Sequence, residues 1–543
     1  MKRPLPMVFV LFLLCLAPAF TFDLPSVFDR SGAEWKATPA DLVSPRFVAT
    51  ELGNGFEFNA DHSQADPKSP RNYWDTTFSP IDLSSTVSVV MWMKIENAAA
   101  VRTVSFYFKS GDGWYLIKPY TQIAERWNKV VFHLDNLSRA EGKPSGWNSI
   151  DGLRVNVFFR EKAPCTVTIV GIRTSATRIE EKGDVALFEA PDKDKGLTRT
   201  MNRDANGRLI ESRMILDEKG AFLDEGSDVV LDRIKRAGFN AYMPCIWHGR
   251  GAIFRSAHSP VEPRFEQHFA GTNDATAVMI QRAKDRGIEV HAWFCVAPQG
   301  KNKLFPEFAK EGSPKGAYDL QDPGYRDLIV REITSFAKQY AVDGINLDYI
   351  RTMGISFTET ARALYRKRYN ADIDELKGTM TPALTARLLE WQEAAVSDIV
   401  RRASEGIRAA RPKAVFSVCG HALPKPELSE QGRNEWLWIE NGWLDISYTM
   451  DYDWTPNFPK FEAGRTSLSS PGRSLLMLGN YESERGEVKP RNAMQVARLI
   501  EYALKKYPEG IALYYYPTLS EEQIDALRAG PFKENAVPNW PSR

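Results

Sequence analysis

The chain has 543 residues, 43% of them hydrophobic, and its 70 Lys+Arg against 69 Asp+Glu leave a formal net charge of +1. That length exceeds one ordinary domain, and that apolar content excludes a chain without a packed core. The even charge balance excludes a partner gathered by a basic excess, so neither nucleic acid nor an anionic membrane surface is expected, and recognition has to rest on shape, stacking and hydrogen bonds.

The N-terminus has the grammar of a secretory signal peptide. Lys2 and Arg3 give a positive start, Val8 to Leu16 is an apolar run, and Ala17-Pro18-Ala19 supplies small residues for cleavage after Ala19. The run is too short to span a bilayer, and no later segment approaches the ~20 apolar residues a span needs. Leu14 stands before Cys15 where a lipoprotein site takes a small residue, which argues against anchoring there. The expectation is a secreted or periplasmic chain with no membrane contact after signal removal. Four cysteines then remain: Cys165, Cys245, Cys295 and Cys419. They are too few and too scattered for a disulfide framework or a CxxC metal site.

Residues 24–178 read as β structure. Thr86–Met93, Thr103–Phe108, Lys129–Leu134, Leu153–Phe159 and Thr166–Ile172 are Val-, Phe- and Thr-rich runs separated by turn residues. Short strands at regular spacing predict a β-sandwich. Trp127 through His133 to Asn136, then Gly146-Trp147 and Ile150 to Phe159, resemble the jelly-roll carbohydrate-binding modules of secreted glycosidases. Trp74, Trp114 and Tyr115 are aromatic candidates for stacking on sugar rings. Residues 179–204 are charged and unpatterned, the composition of an interdomain linker.

From 205 to 535 strands alternate with amphipathic helices, as in a parallel α/β fold. The predicted strands are Arg213–Leu216, Asn240–Trp247, Glu289–Val296, Gly344–Ile350, Ala414–Cys419, Asp445–Tyr452, Leu475–Tyr481 and Gly510–Tyr516. Between them, Val230, Ile234 and Ala237 stop at Gly238, Ala275–Arg286 stops at Gly287, and Val396 to Ala410 marks a long helix. Eight such units predict a (β/α)8 TIM barrel; a doubly wound sheet lacks its GxGxxG after the first strand.

Active sites of such barrels lie at the C-terminal strand ends. Those ends offer Trp247 and His248 on strand two, His291 and Trp293 on three, and Asp348, Tyr349 and Arg351 on four. Strand five offers His421, strand six Asp451, Tyr452 and Trp454, strand seven Tyr481 and Glu482, and strand eight Tyr514 to Tyr516. Aromatics bind the apolar faces of sugars, polar groups bind hydroxyls, and paired carboxylates cleave glycosidic bonds. Asp343 precedes its strand beside Gly344 and reads as a turn residue. Asp348 shares the strand face of Asn346, opposite Ile345 and Leu347, and an inward carboxylate is costly without a purpose.

Asp343-Gly344-Ile345-Asn346-Leu347-Asp348-Tyr349-Ile350-Arg351 resembles the DGIHLDYIR signature of the family 10 glycoside-hydrolase-like proteins. Arg286-Gly287-Ile288-Glu289-Val290-His291-Ala292-Trp293 resembles that family's RGIEVHAW. Trp438-Ile439, Gly442-Trp443-Leu444-Asp445, Met450 and Tyr452 follow in order, with Thr449 where the family has proline, and Gly479, Tyr481 and Gly510-Ile511 complete the series. Over roughly 210–520 the resemblance implies a glycosidase barrel with Asp348 functional. It leaves the second carboxylate open, with Asp451 first and Glu482 second; Asp348, ionised and held by Arg351 or a tyrosine hydroxyl, is expected to attack or stabilise the anomeric carbon while Asp451 protonates the leaving oxygen, on an oligo- or polysaccharide and without a cofactor. Two rival readings remain. In one, a metal-dependent hydrolase gathers His248, His291, Asp348 and His421, although no HxH or HExxH spacing is present. In the other, the barrel is a non-catalytic polysaccharide-binding scaffold. A P-loop and a GxSxG elbow are absent.

Overall fold

The structure is a computed structural model that describes residues 20–23 and 34–541, apart from 51, 68, 118–122, 124, 126, 135–136, 180–187, 189, 302–303, 422–429 and 485–486. The segment expected to be a signal peptide, including Cys15, lies outside the described residues. Two compact units make up the chain, the first of Met1–Ala186 with Ser483–Glu487 and the second of Leu187–Glu482 with Val488–Arg543.

The first unit is a β-sandwich of two antiparallel sheets. One holds Arg46–Thr50, Gly53–Ala60, Cys165–Ser175, Ser88–Glu96 and Asn128–His133 in that order, with Phe20–Asp23 paired to Cys165–Ser175. The other runs Trp35–Thr38, Arg71–Ile81, Ile150–Phe159, Val101–Ile117 and Leu137–Pro144. Alternation sends Phe58, Phe106, Val155 and Ile169 into the space between the sheets. It sends Trp74 there too. That ring is fully buried and its Nε1–H donates to the Val43 carbonyl at 3.0 Å, so Trp74 is core and not a surface platform. Tyr115 stacks on Trp147 at 4.3 Å, and Trp114 lies against the Arg154 guanidinium at 4.5 Å, which Asp75 holds by two hydrogen bonds of 2.6 and 2.7 Å.

The second unit is a closed barrel of eight parallel strands. We number them β1 (Ser212–Asp217), β2 (Ala241–Gly249), β3 (Glu289–Gln299), β4 (Gly344–Asp348), β5 (Val415–Gly420), β6 (Ile446–Asp451), β7 (Ser474–Gly479) and β8 (Gly510–Tyr514). Each pairs in parallel with the next, and β8 returns to β1. Outward positions such as Ile215, Phe294, Leu347 and Val418 meet the helices, while Met214, Met243, Trp293, Tyr448 and Met477 fill the lumen. Local chemistry sets the helix ends. After Ser227–Ala237, Gly238 adopts φ 93° and its N–H bonds back to Ile234 and Lys235, and Asp274 caps Ala275–Asp285 by accepting from Ala277 N–H at 3.0 Å. The residues between β4 and β5 add a helix at Glu359–Tyr369 before the long Pro382–Ala410, and Tyr365, Ile373, Leu376 and Trp391 form a small core of their own there. Part of the segment expected as a linker belongs to this unit: Phe188 is buried against Phe458 and Tyr502, and Tyr502 donates to Asp194 at 2.5 Å.

The N-terminal end of the barrel is sealed. Ala536–Val537 pairs with Leu209–Ile210, and Trp540 packs on His291 at 4.8 Å while donating to Glu289 at 2.5 Å. Beside this plug, Arg213, with no exposed surface, donates to Glu211 at 2.7 Å and lies 4.4 Å from the Phe532 ring; Arg199 bonds the same carboxylate. Among the described residues this end is closed, so a ligand of the barrel is expected at the C-terminal end. Removing Glu211 strands a buried guanidinium. Glu211→Ala is expected to lower the unfolding free energy by about 3–5 kcal/mol, read as a lower urea midpoint; a loss of less than about 1 kcal/mol, the scale of an exposed pair, would contradict the buried network.

Candidate active site at the C-terminal mouth of the barrel

Asp348 is the last residue of β4, in register with Cys295 of β3 and on the inward face above Asn346. Asn346 is fixed one layer lower, donating to Ser417 Oγ at 2.9 Å and accepting from Cys419 Sγ at 3.2 Å. The Asp348 carboxyl is 7% exposed and accepts the Tyr349 backbone N–H at 2.6 Å. Burial pushes its pKa up from 3.8 to about 6, against the lowering pull of that N–H, of Arg433 and of Arg351. The chain then turns through left-handed backbone at Tyr349, φ 48°, and at Met353, φ 59°. Arg351 stacks on Tyr349 at 4.9 Å and donates to Met353 Sδ at 3.2 Å, so among the described residues it acts on Asp348 through its charge and not through an ion pair.

Tyrosines build one wall of the mouth. Tyr452 stacks on Tyr514 at 4.9 Å and Tyr514 on Tyr515 at 4.5 Å, with Tyr481 set across both at 5.6 Å. Tyr514 and Tyr515 are joined by a cis peptide bond. Tyr452 donates to Met477 Sδ at 3.3 Å, and Trp293 meets the edge of Tyr514 at 6.4 Å from the lumen floor. Tyr349, Tyr452, Tyr481 and Trp293 thus stand where the sequence put them, although Trp293 is only 2% exposed and its Nε1 is enclosed without a hydrogen-bond partner.

The opposite side is cationic. Arg433 is buried, donates through Nε to Glu435 at 2.7 Å and to the Cys419 carbonyl, and keeps an enclosed Nη1 without a hydrogen-bond partner. Gly420 leaves the space for this pair, since a Cβ there would stand 2.7 Å from Glu435 and 3.0 Å from Arg433. His421 follows on β5. It is solvent-accessible, yet the protein crowded round its ring, and next Arg433, hold its pKa below the usual histidine range. The sequence reading passed over Arg433, which lies on a loop with no motif around it.

Other candidates stand elsewhere. Trp247 faces outward into the helix layer, fully buried, with Nε1–H on Ser259 at 3.1 Å; a shift in the β2–β3 register beside it places it on that side. His291 is the third residue of an eleven-residue strand, hence at the sealed end against Trp540. His248, at the end of β2, is pushed down to about 4 by burial and then by Arg250. With His291 at the far end, the histidines and Asp348 do not assemble, and among the described residues no group of three or more His, Cys, Asp or Glu is placed to hold a metal ion. Asp451 sits on the outward face of β6, between the inward Met450 and Tyr452, and its carboxylate accepts Asn457 N–H at 2.7 Å and Asp453 N–H at 3.3 Å. It therefore secures the loop after β6 and does not face Asp348. Trp454 is buried beneath Arg491 at 4.5 Å, and Glu482 lends its charge to the same guanidinium.

A carboxylate that the sequence reading missed does enter the mouth. Glu218 follows β1 at the next inward position after Met214 and Leu216, and it accepts the Tyr514 hydroxyl. Its charge is among those that raise Asp348, Tyr349 and Cys295. The same period-two count that places Asp348 inward would have found it.

Residues 224–449 match the family glycosyl hydrolase-like 10, the family whose motifs the β4 sequence resembles. The curated relative Glycosyl hydrolase YngK of Bacillus subtilis (strain 168) is 25% identical over 209 residues, covering 35% of this chain; the match spans 38% of that relative's length. Among solved structures, the PgaB (BpsB) glycoside hydrolase domain of Bordetella bronchiseptica is similar at 14% identity and TM-score 0.43, covering 59% of this chain and 98% of that one. The α-L-fucosidase isoenzyme 2 of Paenibacillus thiaminolyticus is similar at 15% and 0.43, covering 60% and 49%.

Because folded Asp348 binds its proton more tightly than the unfolded chain does, it lowers stability as pH rises from about 4 to about 6. At neutral pH the ionised form costs about 3 kcal/mol, at about 1.4 kcal/mol per pH unit. Asp348→Asn keeps the shape without the charge. It is expected to raise the unfolding free energy at pH 7 by roughly 2–3 kcal/mol and to change little at pH 4. Equal effects at both pH values would contradict the buried-acid assignment.

Proposed function

Taking as premise a barrel that matches glycosyl hydrolase-like 10 over residues 224–449, we propose that this protein hydrolyses glycosidic bonds of an oligo- or polysaccharide, with Asp348 as the general acid. The observation that carries this is a carboxyl enclosed at the C-terminal end of the barrel, holding its proton to about pH 6 beside a wall of tyrosines. Such a group can protonate a departing glycosidic oxygen near neutral pH, which an exposed aspartic acid cannot. The tyrosine wall suits the apolar faces of sugar rings. The N-terminal basic-apolar-small pattern supports export ahead of action on an extracellular or periplasmic glycan, and the β-sandwich is proposed to bind glycan.

The test is release of reducing ends from a broad panel of polysaccharides by the wild type and by Asp348→Asn. Release is expected from one glycan class, falling about 10²- to 10⁴-fold in the variant with binding retained. In the wild type, turnover is expected to decline as pH rises past about 6, where the proton needed for the leaving group is lost. Binding without release in both proteins would instead make the barrel a non-catalytic glycan scaffold.

A further inference from the structure

We infer that Glu218, directly after β1, is the second carboxylate of the site and acts as the base that activates water. This rests on the glycosidase reading above and supplies the partner of Asp348 that Asp451, turned outward to its own loop, does not provide.

Three observations place Glu218. Alternation along β1 turns Met214 and Leu216 into the lumen, and Glu218 is the next position in that series. Its neighbour Asp217 is locked in place, accepting the backbone N–H groups of Lys219 at 2.9 Å, Gly220 at 3.2 Å and Ala221 at 2.7 Å and the Tyr242 hydroxyl at 2.7 Å. The turn carrying Glu218 is thus preorganised from behind. On the lumen side the Tyr514 hydroxyl donates to Glu218, and Tyr514 stacks between Tyr452 and Tyr515. Asp348, enclosed and, among the described residues, hydrogen-bonded by one backbone N–H, is the group that keeps a proton. An enclosed acid with a second carboxylate on the lumen side of another strand is the pair of groups that such a hydrolysis requires.

Barrel geometry sets their spacing. Strands about 4.8 Å apart and tilted about 36° close a ring about 15 Å across at the Cα atoms. β1 and β4 stand three strands apart on that ring. With both side chains reaching inward, roughly 7–9 Å remains between the carboxyls, inside the ~6.5–9.5 Å range that leaves room for a water. In the step this implies, the water oxygen bonds to the anomeric carbon and gives a proton to Glu218. The bond from that carbon to the glycosidic oxygen breaks, and the oxygen takes the proton of Asp348. One water is added, and proton exchange with solvent resets both carboxyls.

The experiment uses the full chain and the glycan that the wild type cleaves. Glu218→Gln is expected to lower kcat about 10²- to 10⁴-fold with KM nearly unchanged and the same melting temperature. Added formate, standing in for the lost carboxylate, restores turnover, and Glu218→Asp keeps part of it. NMR of the first product formed by the wild type shows inverted anomeric configuration. Several results overturn the inference: Glu218→Gln retaining more than about a tenth of turnover, a loss that formate does not rescue, or retention of configuration. If Asp348→Asn is inactive while Glu218→Gln is not, only this inference falls. If the wild type cleaves no glycan, the glycosidase reading falls and takes this with it.

Discussion

In a closed barrel of eight parallel strands, a strand side chain has two destinations, the lumen or the helix layer, and period-two alternation chooses between them. The rest of this site depends on that constraint. It turns Asp348 inward above Asn346, turns Asp451 outward between Met450 and Tyr452, and brings Glu218 in behind Leu216. Height along the strand is the second coordinate. Trp540 and the Ala536–Val537 strand close one end, so an inward residue matters to a ligand only near the other end, and His291 misses it by several positions.

The chemistry of the mouth follows from which charges are enclosed there and which are paired. Arg433 spends its Nε on Glu435 and one Nη on a backbone carbonyl, and Arg351 lies on Tyr349, so Asp348 feels both cations without bonding either. Desolvation therefore prevails over attraction, and the carboxyl keeps its proton. Had either guanidinium reached it directly, Asp348 would be a permanently ionised member of a structural ion pair. The tyrosines do two things in this setting. Their rings give flat apolar surface, and one hydroxyl, that of Tyr514, ties strand eight to the carboxylate after strand one.

The fold was legible because its signals are long-range and redundant. Eight apolar runs separated by amphipathic helices leave few alternatives, and capping residues such as Asp274 and Gly238 mark the ends. Asp348 was legible too, since the strand around it is short, regular and buried on both faces. Legibility failed where the regular count breaks. Beside Trp247 the β2–β3 register shifts, which put an expected sugar-stacking ring into the helix layer. His291 was assigned to the wrong end although the strand begins at Glu289, because its imidazole was weighed for its chemistry and not for its third place along the strand. Glu218 was overlooked because strand one was read only as far as Leu216, and Arg433 because a loop residue far in sequence from β4 carries no periodic signal. In the sandwich, Trp74 illustrates the same limit, since only the pairing of its strand decides which face it joins.

The central claim is that Asp348 carries a dissociable proton at near-neutral pH. Difference potentiometric titration of the folded wild type against folded Asp348→Asn measures it without any substrate. The account predicts one additional proton released by the wild type with a midpoint near pH 6. Release near pH 4, where exposed aspartates titrate, would mean that Asp348 is already ionised in the working range and is not the acid of this site.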